Sequence, residues 1–339
     1  MLRLPKFELE QPTALADVLT LLAENDNAMI VAGGTDLLPN MKHELFTPDL
    51  LVSLARIEEL RGVRTDADGS LKIGAMTPLS EVAASEEVAR RAPALAQAAS
   101  LVAGPQLRTM GTLGGNVMLD TRCQWYNQTY FWRKSLGFCL KKDGTVCHVV
   151  QGGKKCVAAA SNDTAPALMT LGATLVYQSA RGTREVAIDE LWQADGIFNK
   201  KVEADEVLTE IRVPATTSGH RGAYGKLRDR GSIDFPLLGV ACRLELGANE
   251  EVESADLVLT ALAARPVRVR KLDELLAGKK TSGPEWDDAV AEVSERAYKQ
   301  CKPLANIPGD HDYRREMVPV YVRRTLHAAI QGTGPVHHI

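Results

Sequence analysis

An α+β fold in more than one domain is expected from three features of the sequence. Short apolar strand runs and amphipathic helices alternate through the first 120 residues, strand signals dominate residues 184–247, and two helical stretches at about 284–302 and 312–331 close the chain. No internal repeat and no low-complexity linker breaks that order, which places a boundary near residue 180.

The elements follow in turn. Leu15, Val18, Leu19 and Leu22 form an i, i+3, i+4, i+7 stripe behind Thr13 as N-cap, and Asn25-Asp26-Asn27 ends it. Residues 28–32, Ala-Met-Ile-Val-Ala, make a short buried strand that Gly33-Gly34-Thr35-Asp36 interrupts. Further strands are expected at 49–54 and 71–75. Thr77 then caps a helix with Pro78 at its first position, where the missing N–H costs nothing. An Ala-rich helix runs from about 86 to 102, residues 104–116 (GPQLRTMGTLGGN) form a glycine-rich loop, and 121–160 are irregular. Asp163-Thr164-Ala165-Pro166 starts another helix, and strands are expected at 173–178, 207–213 and 237–246.

Composition narrows the function classes. The chain is 45% hydrophobic and 24% charged, carries a net charge of −3 and has no basic block, so nucleic acid is not an expected partner. Its start, MLRLPKFELEQP, holds charges and no apolar core of signal-peptide length, and no run reaches the roughly 18 apolar residues of a membrane span. A cytoplasmic chain with no membrane contact is expected.

Two glycine motifs share a chemistry. In Val31-Ala32-Gly33-Gly34-Thr35-Asp36-Leu37 and in Thr112-Leu113-Gly114-Gly115-Asn116, paired glycines let backbone N–H groups approach a ligand and form a nest for a phosphate oxygen. Thr35, Thr112 and Asn116 add side-chain donors. Either motif alone is equally a tight turn; the two together favour a pyrophosphate held between them. The dinucleotide fingerprint GxGxxG and the GxxxxGK[ST] phosphate loop are both absent, so a bound dinucleotide implies a fold other than the doubly wound one.

Four of six cysteines fall within 34 residues, spaced Cys123-x15-Cys139-x7-Cys147-x8-Cys156. A local cluster in a reduced compartment points to metal rather than disulfides. No CxxC knuckle of a structural zinc site occurs, and ferredoxin-type runs are also shorter. Four thiolates suit a [2Fe–2S] or [4Fe–4S] cluster or zinc on count alone, and unligated thiols remain open. Trp125, Tyr126, Tyr130, Phe131, Trp132 and Phe138 are placed to shield a redox centre, and His148 is expected to pack or be solvated rather than ligate. Cys242 and Cys301 are expected to be buried thiols.

AGGTDLLP (32–39), TLGGN (112–116), SNDTAPAL (161–168) and the Tyr224-x-Lys226 segment resemble the FAD-binding medium subunits of the xanthine oxidase and carbon monoxide dehydrogenase family. The likeness spans nearly the whole chain in order. Ordinary members run from the GGN loop straight into the Asp-x-x-Pro helix, whereas this chain inserts about 40 residues between Asn116 and Asp163. A four-cysteine insert of that kind resembles the 4-hydroxybenzoyl-CoA reductase branch, whose insert holds a [4Fe–4S] cluster.

The resemblance implies a vanillyl-alcohol-oxidase-type FAD domain in two subdomains, 1–57 and 58–180 with the insert at about 117–160, followed by a small C-terminal α+β domain, 181–339. By position, Ile30, Val31, Ala32, Gly33, Gly34, Thr35, Asp36 and Leu37 wrap the FAD pyrophosphate. Thr112, Gly114, Gly115 and Asn116 form the second wall, with Val102 near the flavin, Asp163 contacting the FAD and Lys226 near the isoalloxazine. The plain alternatives are a helix N-cap for Asp163 and a surface charge for Lys226. Cys123, Cys139, Cys147 and Cys156 are the expected cluster ligands.

The resemblance also implies partners: a small subunit with [2Fe–2S] clusters and a large one with a molybdenum cofactor, assembled as a dimer of heterotrimers. Electrons are expected to pass from a ferredoxin-like donor through the [4Fe–4S] cluster and FAD towards molybdenum, for reductive removal of a phenolic hydroxyl. The alternatives are a molybdenum hydroxylase that oxidises an N-heterocycle or aldehyde, and a zinc-stabilised, flavin-free binding subunit.

Overall fold

The computed structural model describes residues 2–337 in three sheets. The first is wholly parallel, in the order β1 (Glu8–Glu10), β3 (Leu50–Ser53), β2 (Ala28–Val31), with α1 (Leu15–Glu24) crossing from β1 to β2 and α2 (Leu37–Lys42) from β2 to β3. Val18, Leu22, Val52, Leu54 and Ile57 close its core. Thr13 does not cap α1: the cap position is Ala14 and no side chain bonds there. Burial of the Leu15, Val18 and Leu22 face holds the helix instead.

The second sheet is five-stranded, with β4 (Val63–Thr65) and β5 (Leu71–Gly74) beside three later strands. Its helical cover begins with α3 (Leu79–Ala84), α4 (Glu86–Arg91) and α5 (Pro93–Ser100). Thr77 does not cap α3; its hydroxyl exchanges hydrogen bonds with the backbone of Gly62. The single helix expected over 86–102 is two, because Pro93 cannot continue the first and starts the second at its first turn. The expected loop 104–116 is also largely helical, as α6 (Pro105–Met110) and α7 (Leu113–Val117), each only one or two turns long and so without a visible apolar period.

Residues 118–163 carry one short helix, α8 (Tyr130–Ser135), and return to the main body at α9 (Thr164–Thr170). Three strands complete the second sheet: β6 (Thr174–Ser179), β7 (Gly182–Ala187) and β8 (Val207–Val213), in the order β4-β5-β8-β6-β7. The boundary expected near residue 180 therefore falls inside the β6–β7 hairpin. Strands β7 and β8 bury their apolar residues, Val186, Leu208 and Ile211 among them, in the same core as α3, α5 and α9.

The third sheet is an antiparallel meander, β9 (His220–Leu227), β10 (Leu238–Leu246), β11 (Val252–Thr260) and β12 (Val267–Arg268). After the short α10 (Asp273–Leu276), α11 (Pro284–Gln300) and α12 (His311–Gln331) cover one face, with Trp286, Val293, Val318 and Tyr321 buried against it. The other face of β9 meets α5. Cys242 and Cys301 are buried in this core as expected. Among the described residues no helix is long and apolar enough to cross a membrane.

Candidate cofactor sites

The two glycine loops lie against each other. A Cβ on Gly33 would sit 1.9 Å from the carbonyl oxygen of Met110, and one on Gly111 would sit 3.5 Å from the Thr35 hydroxyl. Gly33 is thus required by the approach of the second loop. Gly34 holds a φ of +70°, a conformation that side chains other than glycine rarely take. Among the described residues, the N–H groups of Gly33, Gly34 and Thr35 have no protein acceptor, so the turn after β2 presents free donors together. That arrangement suits a phosphate.

The second motif differs from the expected nest. Thr112 caps α7, its hydroxyl accepting from Gly115 N–H at 3.1 Å. Leu113 N–H donates to Thr77, Gly114 N–H to Ala75 and Asn116 N–H to Thr112, so these donors are engaged. Gly114 is demanded by packing, since a Cβ there would meet Ala75 at 2.7 Å. The Asn116 side chain also serves the protein: its Oδ1 accepts from the N–H of Thr164 at 3.0 Å and from the Thr164 hydroxyl at 2.6 Å. Gly115 is exposed and remains the open point of this wall.

Asp163, Tyr224 and Lys226 meet in the interior. Lys226 Nζ donates to Asp163, to the carbonyl of Leu101 at 2.9 Å and to that of Asp234 at 3.2 Å, with its ion-pair contact to Asp163 at 3.1 Å. These three bonds use all its donors, and the side chain is fully buried. It is not a surface charge. Asp163 makes no cap bond to α9; Asn116 does that work. Its carboxylate instead accepts from the Tyr224 hydroxyl at 2.9 Å. Burial raises the Asp163 carboxyl above the ordinary carboxylate range against the opposing pull of Lys226, and raises the Tyr224 phenol well above its usual value.

Sequence reasoning passed over Tyr224 as an individual contributor. The signal was present, because residues i and i+2 of a strand share a face, here the face of β9 turned to Asp163. Val102, half-buried, offers its carbonyl to Arg108 at 2.8 Å, next to Ala103, which is held at φ +43°. The carbonyl of Ala103 accepts from Ile233 N–H at 3.0 Å, so the 229–236 loop packs on this segment.

All four clustered cysteines line one small cavity, of about 20 Å³, together with Trp125, Tyr126, Lys141 and His148. Of the aromatic residues expected to shield a centre, only Trp125 and Tyr126 line it. Phe131 is 83% exposed, and Tyr130 and Trp132 also reach solvent. His148 packs on Trp125 at 5.3 Å and bonds the carbonyl of Phe138 at 2.6 Å, so its role is packing. Val150 N–H donates to Cys147 Sγ and Ala158 N–H to Cys156 Sγ, each at 3.4 Å. Burial pushes the Cys123 thiol up to about 12 and raises that of Cys156. Any metal seated here must displace those protons.

The four cysteines carry their sulfurs into this cavity without a metal between them. Among the described residues, no three of them lie within 4.8 Å of one another. Tetrahedral zinc with bonds of about 2.3 Å draws its thiolates to roughly 3.8 Å apart. A cubane takes one thiolate at each of four separate irons and holds them wider. Gly196 packs closely against Cys156: a Cβ there would lie 2.6 Å from Cys156 Sγ, and its carbonyl accepts from the Thr121 hydroxyl.

The insert is fastened to α2, the helix that begins just after the first glycine loop. Arg122, beside Cys123, pairs with Asp36 at 2.8 Å, and its guanidinium lies 3.9 Å from the Phe235 ring. Asn127 joins Asn40 at 3.3 Å and accepts from the N–H of Cys123 at 2.9 Å. Buried Arg133 donates to the carbonyls of His43 and Glu44. Leu45 shares the small core of Cys123, Tyr126, Cys139 and Cys156. Sequence gave no signal for this docking, because each partner lies some 80 to 90 residues away.

The chain is similar to known proteins over nearly its whole length. Residues 5–216 match the model of the FAD binding domain in molybdopterin dehydrogenase, and residues 222–329 that of the CO dehydrogenase flavoprotein C-terminal domain. The carbon monoxide dehydrogenase medium chain of Hydrogenophaga pseudoflava is 30% identical over 96% of this chain and 97% of its own. The xanthine dehydrogenase FAD-binding subunit of Escherichia coli O157:H7 is 27% identical over 94% of each. A solved carbon monoxide dehydrogenase from H. pseudoflava, lacking the Mo-pyranopterin moiety of its cofactor, superposes with a TM-score of 0.79 at 28% identity, covering 97% of this chain and 99% of that one.

Proposed function

The chain belongs to the FAD-binding medium subunits of the xanthine oxidase and carbon monoxide dehydrogenase family, and on that premise we propose that it relays electrons between a [4Fe–4S] cluster of its own and the FAD. Family membership disposes of the flavin-free alternative. The observation that carries the proposal is the convergence of Cys123, Cys139, Cys147 and Cys156 on one cavity, in an insert bonded to the helix that follows the first glycine loop.

When bound, FAD exchanges two electrons or one, and the cluster exchanges one at a time; that versatility is the cofactors' own. The protein binds and orients them. The free N–H groups of Gly33, Gly34 and Thr35 receive the pyrophosphate, with Ile30, Val31, Ala32, Asp36 and Leu37 framing that turn. Gly115 and its neighbours Thr112, Gly114 and Asn116 close the other side. Lys226 and Asp163, fixed by Tyr224, brace the wall near Val102 and the flavin ring. The four cysteines hold the cluster, Val150 and Ala158 N–H stabilise two thiolates, and the apolar wall excludes water.

In this reading the chain works in a complex with a small [2Fe–2S] subunit and a large molybdenum subunit, as a dimer of heterotrimers in the cytoplasm. A ferredoxin-like donor reduces the cluster, and electrons run inward for reductive dehydroxylation of a 4-hydroxybenzoyl-CoA-like ester. The support for this reading is the insert, which brings four cysteines to one cavity and bonds to the helix after the first glycine loop.

Cys139→Ser tests the relay. The variant complex is expected to keep its FAD, to lose iron and sulfide, and to lose reduction by a low-potential protein donor by at least a hundredfold. Unchanged donor-driven reduction with a full flavin complement would remove the cluster from the route.

A further inference from the structure

Among the described residues that line the cysteine cavity, Lys141 alone carries a permanent charge. Its side chain is 5% exposed. The ammonium donates to the Asp120 carboxylate at 2.9 Å, to the carbonyl of Thr121 at 2.9 Å and to the Thr121 hydroxyl. Those three acceptors use all its donors and fix it in place. The Thr121 hydroxyl can accept because its own proton goes to the carbonyl of Gly196, the residue packed against Cys156. Lys141 Nζ also lies 4.4 Å from the centre of the Tyr126 ring, another wall of the cavity.

This charge reaches the sulfurs. Burial raises the Cys156 thiol, and the Lys141 ammonium opposes that rise. A second ammonium stands close by: Lys200 donates to the carbonyl of Leu119, one residue before Asp120, at 2.9 Å and to Asn199 Oδ1 at 2.8 Å. Burial lowers it to about 8, and the charges of Asp120 and Lys141 both act on it. Asp120 is thus one carboxylate, 27% exposed, facing two cations, and the three groups together are net positive at pH 7. Taking an ammonium out of water is costly, and a single partly solvated carboxylate offsets that cost only in part. Four thiolates in the cavity supply the missing negative charge.

We propose that Lys141 sets the reduction potential of the iron–sulfur centre in this cavity, with Asp120 as its counterweight. The proposal rests on the cluster reading above and adds the residue that tunes the cluster. Four thiolates give a [4Fe–4S] centre a net negative charge, which grows by one when an electron enters; no bond forms or breaks and no proton moves. A fixed cation in the wall stabilises the more negative, reduced form and so raises the potential. It acts strongly because the surrounding wall is apolar and little water screens it. Val150 and Ala158 N–H act in the same sense on Cys147 and Cys156, as dipoles rather than as a full charge. Asp120 acts in the opposite sense.

A redox titration of the purified complex, followed by electron paramagnetic resonance, reads the [4Fe–4S] centre apart from the [2Fe–2S] centres of the partners. Lys141→Met is expected to disfavour reduction of the [4Fe–4S] centre at least tenfold, a fall of about 59 mV in its midpoint potential. Iron, sulfide and FAD contents should be unchanged. Lys141→Arg keeps the charge and should stay close to the unaltered complex, and Asp120→Asn should raise the midpoint. An unmoved midpoint in Lys141→Met with its cluster in place would overturn the proposal. So would equal falls in Lys141→Met and Lys141→Arg, which would make the lysine a structural tie. Where Lys141→Met does not hold its cluster, Asp120→Asn decides: a raised midpoint supports the proposal, and an unchanged or lowered one overturns it. Failure of the cluster reading shows separately, as an unaltered complex with no [4Fe–4S] signal.

Discussion

Replacing Lys226 by Met is expected to cost about 3–5 kcal/mol of folding stability, because it leaves a carboxylate in the protein interior without its cation. Asp163 has 3% of its side chain exposed and Lys226 none. With the lysine gone, the Asp163 carboxyl, already raised by burial, is raised further. The folded state then holds a proton that the unfolded chain releases above roughly pH 4. A folded-state pKa above the unfolded value makes the stability deficit grow as pH rises through that window, and lowering the pH towards 4 should recover most of it. Urea unfolding of the purified flavoprotein at pH 7.5 and pH 5 measures both values. The double variant Asp163→Asn, Lys226→Met should be more stable at pH 7.5 than the single one. A pH-independent loss below about 1 kcal/mol would show that the pair does not anchor β9 to α9.

The second large effect is on the flavin. Gly33→Ala puts a methyl group 1.9 Å from the Met110 carbonyl oxygen, which belongs to the backbone and cannot swing aside. The two glycine loops must separate, and the free N–H groups of Gly33, Gly34 and Thr35 lose their common aim. Flavin affinity is expected to fall at least tenfold, about 1.4 kcal/mol, while far-UV circular dichroism stays unchanged. Gly34→Val should act at the same site through its φ of +70°. By contrast Gly115→Ala, whose Cβ would meet only the Thr112 hydroxyl at 3.0 Å, should lose less flavin than Gly33→Ala. Full flavin retention by Gly33→Ala would argue against a pyrophosphate at this turn.

The outcomes of sequence reading follow from the range of the interactions involved. Elements with a long apolar period, α1, α11 and α12, and strands with branched apolar runs, β2, β3 and β8, stand within a residue or two of expectation, since local burial decides them. The edge strands β1 and β4 were missed because their side chains are mostly exposed and carry no pattern. Reading 86–102 as one helix overlooked Pro93, and reading 104–116 as loop counted glycines that in α7 serve close packing against Ala75. For the site, residue types were legible: paired glycines, four cysteines, a buried Asp and Lys. Their partners were not. The Arg122–Asp36 pair, the Arg133 bonds to the turn after α2 and the Tyr224–Asp163 bond all join residues 60 to 90 positions apart.

Quantifying iron and acid-labile sulfide against flavin in the purified complex tests the central claim most directly. A relay from a cysteine-bound cluster to FAD predicts about four irons and four sulfides per FAD beyond those held by the partner subunits. It also predicts that Cys139→Ser removes that increment and leaves the flavin in place. One zinc per chain, with no sulfide beyond the partners' own, would contradict it.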